Sequence, residues 1–340
     1  MQLADKIKEE LGRLSYPFGW TEMLWQRRRS ACMRRRYPQG EEMPPVVILL
    51  YNDISAPGGL CDRLRSMCGT YKVCCELGLQ YKIGHFIPFA LSDFLQPNSV
   101  DWRISESDII KDLKQIEVID YTPVAMHHTP RRKFDAYCDF NHNALKKWFA
   151  GVRGKKQIHV NHGLYSVRYE EIKPLFRTLF VPTPELNACI EENKRCLGER
   201  YVSATLRFQN LMGDFYEGAR YKELGGGEEE KNDYIRRSLA AVEDIHRRHP
   251  ECKVLVTADS LRFLKEAQRF DFVHVIPGTL THLSNTSVAE HAVYLKSFVD
   301  LLTIADADKV YLLRTGRMYN SRFARTAAAI GGRPYELVEY

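Results

Sequence analysis

Apolar positions along this chain follow two rhythms, continuous short runs and helical spacing, and the two alternate. Val46-Val-Ile-Leu-Leu50 is a continuous apolar run, the mark of a strand buried on both faces. Ser55-Ala-Pro-Gly-Gly59 breaks it, and Asp62 to Leu77 then carries helical periodicity, with Gly78 placed to cap the helix. Strand, glycine turn and helix in that order open a parallel α/β unit. The stretch from Pro88 to Pro130 is less regular, while Ile158–Asn161 and Leu179–Val181 predict further buried strands.

Around Pro182-Thr-Pro184 the chain changes domain, and a helix is expected from Glu185 to Cys196. A second series follows. Strands are expected at Tyr201–Phe208, Lys253–Thr257, Val273–Ile276 and Lys309–Leu313, and helices at Tyr234–His249, Leu261–Gln268, Ala289–Ile304 and Ser321–Ile330. Tyr216 to Asn232, with Gly225–Gly227 and Glu228–Glu230, reads as a mobile loop. The regular alternation predicts a doubly wound parallel sheet with ligands at the C-terminal strand ends. Three parts result. Residues 1–45 form an amphipathic helix (Leu3, Ile7, Leu11, Leu14) and a basic arm, 46–184 a first α/β domain, and 185–340 a second.

Composition narrows the class. The 340 residues suit two Rossmann-like halves, and 44% hydrophobic with 27% charged residues excludes disordered and fibrous chains. No run approaches the about 20 apolar residues that span a bilayer. Lys6, Lys8, Glu9 and Glu10 interrupt any signal peptide, so a cytoplasmic protein is expected. Nine cysteines with irregular spacing offer no zinc pattern and read as reduced thiols. The net charge of +6 is concentrated in Arg27, Arg28, Arg29, Arg34, Arg35 and Arg36, behind Trp20 and Trp25. Such an arm either touches the anionic inner face of a membrane or stays solvated. No nucleic-acid module is recognisable, and no nucleic-acid partner is expected.

Four strand ends carry groups suited to phosphate or nucleotide. Pro57-Gly-Gly-Leu-Cys-Asp-Arg63 places Gly58 and Gly59 before a helix N-terminus, with Asp62 and Arg63 in its first turn. Val202-Ser-Ala-Thr-Leu-Arg-Phe208 presents Arg207 at the end of a strand, where a guanidinium clasps phosphate oxygens or pairs with a carboxylate such as Asp214. Val256-Thr-Ala-Asp-Ser260 ends in Asp259 and Ser260, which either cap a helix or meet a base or ribose. Asn320-Ser-Arg-Phe-Ala-Arg325 offers Ser321 at a helix start with Arg322 and Phe323 behind it.

In order and spacing these anchors resemble the GT-B fucosyltransferase superfamily, over residues 46 to 335. That superfamily includes the nodulation and core α1,6-fucosyltransferases, the protein O-fucosyltransferases and bacterial relatives. Its pattern stands here as Gly58-Gly-Leu-Cys-Asp-Arg63, Leu206-Arg-Phe208, Thr257-Ala-Asp-Ser260 and Ser321-Arg-Phe-Ala324. Thr205-Leu206 replaces the usual histidine, an alanine interrupts the T-D-S anchor, and Ala324 replaces a serine.

The resemblance implies a GT-B-like fold, two Rossmann-like domains with parallel sheets facing a cleft. It implies inverting transfer of fucose from GDP-fucose, or of a sugar on a similar nucleotide, to a glycan or lipid-linked glycan. Arg207 would then neutralise the departing β-phosphate, Ser321, Arg322 and Phe323 would hold the pyrophosphate, and Asp259 and Ser260 would meet the nucleoside. Asp214 and Glu217 are candidates for the base, with Asp53 and Asp62 as competitors, and His282 is placed to line the cleft. No cofactor or metal is expected, because Asp306-Ala-Asp308 falls at a helix-to-strand turn. A nucleotide-binding protein of this fold without transfer activity, and a dinucleotide-dependent oxidoreductase, remain alternatives. The missing GxGxxG argues against the second.

Overall fold

The computed structural model describes residues 44–52, 58–121, 134–162, 166–216, 222–278 and 290–340. The basic arm from Arg27 to Arg36, and the candidates Asp53, Glu217 and His282, lie outside them. The chain forms two compact units. One takes Met1–Ile87 with Val100–Arg168, the other Pro88–Ser99 with Tyr169–Tyr340. The changeover after Arg168 precedes the Pro182-Thr-Pro184 punctuation because helix α3 (Tyr169–Leu179) packs against α8 (Phe323–Gly331) of the second unit. The short strands β3 (Leu95–Pro97) and β6 (Phe180–Pro182) pair antiparallel within that unit too.

The first unit is built on a four-stranded parallel sheet in the order β2-β1-β5-β4. Its strands are β1 (Val46–Tyr51), β2 (Tyr81–His85), β4 (Ile116–Tyr121) and β5 (Gln157–His162). The apolar run of β1 lies in the middle, with Val47, Ile48 and Leu49 fully buried. Helix α1 (Leu60–Leu77) ends as its sequence predicts, on Gly78 at φ 65°, whose N–H caps Cys74 and Cys75 carbonyls. Helix α2 (Phe134–Ala150) was not expected, since Asn, His, Cys and aromatic residues make its propensity weak.

The second unit holds a five-stranded parallel sheet in the order β11-β10-β7-β8-β9. These are β7 (Tyr201–Leu206), β8 (Lys253–Ala258), β9 (Val273–His274), β10 (Lys309–Arg314) and β11 (Tyr335–Glu339). All six residues of β7 are buried, as a central strand covered on both faces requires. The helices between are α4 (Pro184–Leu197), α5 (Gly227–Arg248), α6 (Leu261–Ala267), α7 (His291–Asp306) and α8. Thr183 caps α4 through its side chain, accepting from Leu186 N–H at 3.3 Å.

Several expected boundaries change. Glu228 to Asn232 belong to α5, not to a loop, because three glutamates in the first turn complement the helix dipole. The predicted strand to Ile276 stops at His274. Helix α8 begins at Phe323, two residues after Ser321.

Candidate functional site

In the second unit the chain builds β7, β8 and β9 outward in one direction, then returns to place β10 on the other side of β7. Connections therefore diverge between β7 and β10, and in open parallel sheets that switch point is where a crevice forms beyond the strand ends. Arg207 leaves β7 at this place.

Its guanidinium is largely covered, with 19% of the side chain exposed, and Nη1 lies 3.2 Å from Asp259 Oδ2. The Phe215 ring packs beneath it, 4.9 Å from Cζ to the ring centroid. Asp259, just past β8, also accepts the Phe208 N–H on Oδ1 and the Gln209 N–H on Oδ2, both at 2.7 Å. One carboxylate thus holds both the arginine and the turn that carries it. Those two bonds end β7 at Leu206, short of the expected Phe208. They also hold Gln209 at φ 55°, the one positive φ of a non-glycine residue among the described residues. Burial pushes the Asp259 carboxyl above its usual range, opposed by the Arg207 charge and the two amide donors.

Among the described residues the carboxylate facing Arg207 is therefore Asp259, not Asp214. Asp214 sits instead at the start of α6, where Oδ2 accepts from Ser260 Oγ at 2.8 Å and from Arg262 N–H at 2.9 Å. Ser260 caps the same helix, its Oγ accepting from Phe263 N–H at 3.2 Å. Asp259 and Ser260 are thus turned to protein groups.

The loop after β10 reaches the same strand end. Tyr319 N–H donates to the Arg207 carbonyl at 2.9 Å, and Ser321 N–H to the Tyr319 carbonyl at 2.9 Å. Ser321 Oγ accepts from Phe323 N–H at 3.2 Å, and Arg322 is the residue before α8. Arg325 lies over the Tyr169 ring at 4.1 Å.

The glycine turn of the first unit is organised around Arg63, which is 1% exposed. Its Nε donates to the Gly58 carbonyl at 3.1 Å, and Nη1 to the Ile87 carbonyl at 2.9 Å while lying 3.0 Å from His85 Nε2. Gly59 precedes α1, Gly58 takes φ 81°, and Asp62 stands in the first helical turn. Arg63 thus braces this turn from inside.

Sequence reasoning missed Phe215 and the Tyr319 backbone tie. An aromatic beside Asp214, and one after the β10 strand end, were the available signals. Asp306 and Asp308 pair with Lys194 (3.2 Å) and Arg200 (3.0 Å). Among the described residues no three metal-ligating side chains converge, and no helix is long and apolar enough to cross a membrane. A surface cavity of about 540 Å³ between α5 and α6 contains none of the candidate residues.

No protein-family model matches the chain, and no curated protein matches it by sequence. Solved structures do match. The NodZ alpha-1,6-fucosyltransferase soaked with GDP-fucose superposes at TM-score 0.52 with 13% identity, over 88% of this chain and 95% of that one. The fold is that of the GT-B fucosyltransferases. Fucosyltransferase NodZ from Bradyrhizobium gives TM-score 0.51 at 14% identity, over 84% of this chain and 93% of its own. A mutant of Arabidopsis thaliana FUT1 in complex with GDP gives 0.52 at 9%, over 92% of this chain and 74% of that one. At these identities the fucosyltransferase likeness is one of fold.

Proposed function

We propose that this chain is an inverting glycosyltransferase that moves fucose from GDP-fucose to a hydroxyl of a glycan or lipid-linked glycan, without a metal. The observation that carries the reading is Arg207 at the switch point of the second sheet, held by Asp259 and Phe215. An arginine fixed before substrate arrives stabilises charge that grows only as the nucleoside diphosphate departs. Ser321 and the N-terminus of α8, reached through Tyr319, supply further donors to the same diphosphate.

In this reading the glycosidic C–O bond to the β-phosphate breaks as the acceptor oxygen attacks the opposite face of the sugar. The acceptor proton passes to a base. Asp214 Oδ2 already accepts two hydrogen bonds at the α6 start, so we assign the base to Glu217, in the neighbouring segment. Asp259 acts on the donor through Arg207. The arm at Arg27–Arg36 provides the contact with an anionic membrane surface that a lipid-linked acceptor calls for.

The test is GDP release from GDP-fucose by purified full-length protein, with and without EDTA, beside Arg207→Ala. Release that persists in EDTA and falls at least about 100-fold in the variant, an oxyanion-type loss, supports the reading. Near-normal release by Arg207→Ala overturns the mechanism. No release together with no GDP binding overturns the donor assignment.

A further inference from the structure

Exposed apolar side chains are not spread evenly over the described residues. Six large ones stand out among the described residues, and three of these, Tyr216 (65% exposed), Leu261 (53%) and Tyr319 (41%), follow the C-terminal ends of β7, β8 and β10. Single exposed apolar residues need no explanation, but a group at the ligand-binding edge of a parallel sheet does. Chain neighbours and one backbone bond link the group to Arg207 and Asp214. Tyr216 follows Phe215, whose ring underlies Arg207, and Leu261 follows Ser260, which bonds Asp214. Tyr319 donates its N–H to the carbonyl of Arg207 itself.

The loop bearing Tyr319 is pinned on every side. Met318 N–H donates to the Thr315 carbonyl at 3.0 Å, and the Met318 carbonyl accepts from Arg314 Nε at 2.9 Å. Arg317 N–H donates to Tyr234 Oη at 3.1 Å, and its guanidinium to the Lys222 carbonyl at 3.2 Å. Gly316, at φ 51°, lies so close to Tyr234 Oη that a Cβ there would collide with it. Tyr319 is thus an exposed ring on a stiff mount, which loses little freedom when something stacks on it.

We propose that Tyr319 is the platform on which the nucleobase of the donor stacks. The proposal rests on the reading that Arg207 receives the diphosphate, and it names what lies beyond that diphosphate. A nucleoside diphosphate is an anion joined through a ribose to a flat π-surface. The β7–β10 switch point sets a charge-matched guanidinium and an exposed ring on two adjoining backbone segments. Stacking is tolerant of base identity, so Tyr319 supplies affinity for a nucleotide over a bare diphosphate and leaves the choice of base to other groups.

The experiment is calorimetric titration of the full chain with GDP and, separately, with inorganic pyrophosphate, for the wild type, Tyr319→Ala, Tyr319→Leu and Tyr319→Phe. Tyr319→Ala and Tyr319→Leu weaken GDP binding by about ten- to a hundredfold, the range of base–aromatic stacking. They leave pyrophosphate binding within about twofold of wild type. Tyr319→Phe binds both as the wild type does. If Tyr319→Leu binds GDP as tightly as wild type, or loses pyrophosphate to the same degree, the platform is refuted and the Arg207 assignment stands. If the wild type binds neither ligand, the donor reading falls and the platform with it.

Discussion

Removing the Asp259 carboxylate tests whether the fold at the end of β7 depends on it. Asp259 accepts two backbone bonds of 2.7 Å and pairs with Arg207 at 3.2 Å, and 1% of its side chain is exposed. Taking one partner out of a buried, hydrogen-bonded ion pair costs about 3–5 kcal/mol. The left-handed Gln209 conformation adds pressure of about 1–3 kcal/mol to relax once its N–H is released. These contributions overlap, so about 3–5 kcal/mol is expected for Asp259→Ala, a large share of the about 5–15 kcal/mol typical of a folded domain. Urea unfolding at neutral pH measures the total, and amide hydrogen exchange at Phe208 and Gln209 locates it. Arg207→Met in the Asp259→Ala background is expected to recover part of the loss, since it removes the charge that Asp259 balanced. A loss under about 1 kcal/mol, with both amides still protected, would refute this account.

Two further predictions concern groups away from the strand ends. Lys296 and Asp300 form a buried pair on α7, so Lys296→Met alone is expected to cost about 3–5 kcal/mol, while Lys296→Met with Asp300→Leu restores most of it. Paired urea melts decide, and a double variant no better than the single one would refute the buried-charge argument. Glu76, bonded to Lys146 at 2.7 Å and to His142 at 3.0 Å, has its carboxyl held below the usual range, chiefly by the Lys146 hydrogen bond. A depressed carboxylate stabilises the fold above the unfolded pKa of about 4.3 and loses that contribution as pH falls through the folded value. Glu76→Gln should therefore flatten the acid side of the stability profile by under about 1 kcal/mol, the partly exposed pair being screened.

The buried strands were legible wherever the apolar run was unbroken, as in β1, β7, β8 and β10, because burial on both faces removes alternation. β2 and β11 were not read. Tyr81-Lys-Ile-Gly-His85 and Tyr335-Glu-Leu-Val-Glu339 carry charge or glycine, and each lies at the edge of its sheet. Arg207 could be singled out because an arginine closing an apolar strand is chemically conspicuous. Its partner could not, since Asp214 is near in sequence while Asp259 is near only after β8 pairs with β7. Helix capping accounts for Asp214 and Ser260, and it uses the residue types a nucleotide site would also use.

The pairing of β3 with β6 has a consequence for the order in which the chain is made. Residues 88–99 leave the ribosome well before the unit they join, and the strand that receives Leu95–Pro97 is Phe180–Pro182. Until then the segment is a loop thrown out between two parts of the first unit. That unit can close once Arg168 has emerged, with its guest segment still unmatched. Closing so long a loop costs only slightly more than closing a short one, since the entropy grows with the logarithm of length. The delay is therefore one of time, and the apolar side chains Phe89, Leu91, Phe94 and Leu95, buried in the finished protein, wait without their partners until the second unit is synthesised.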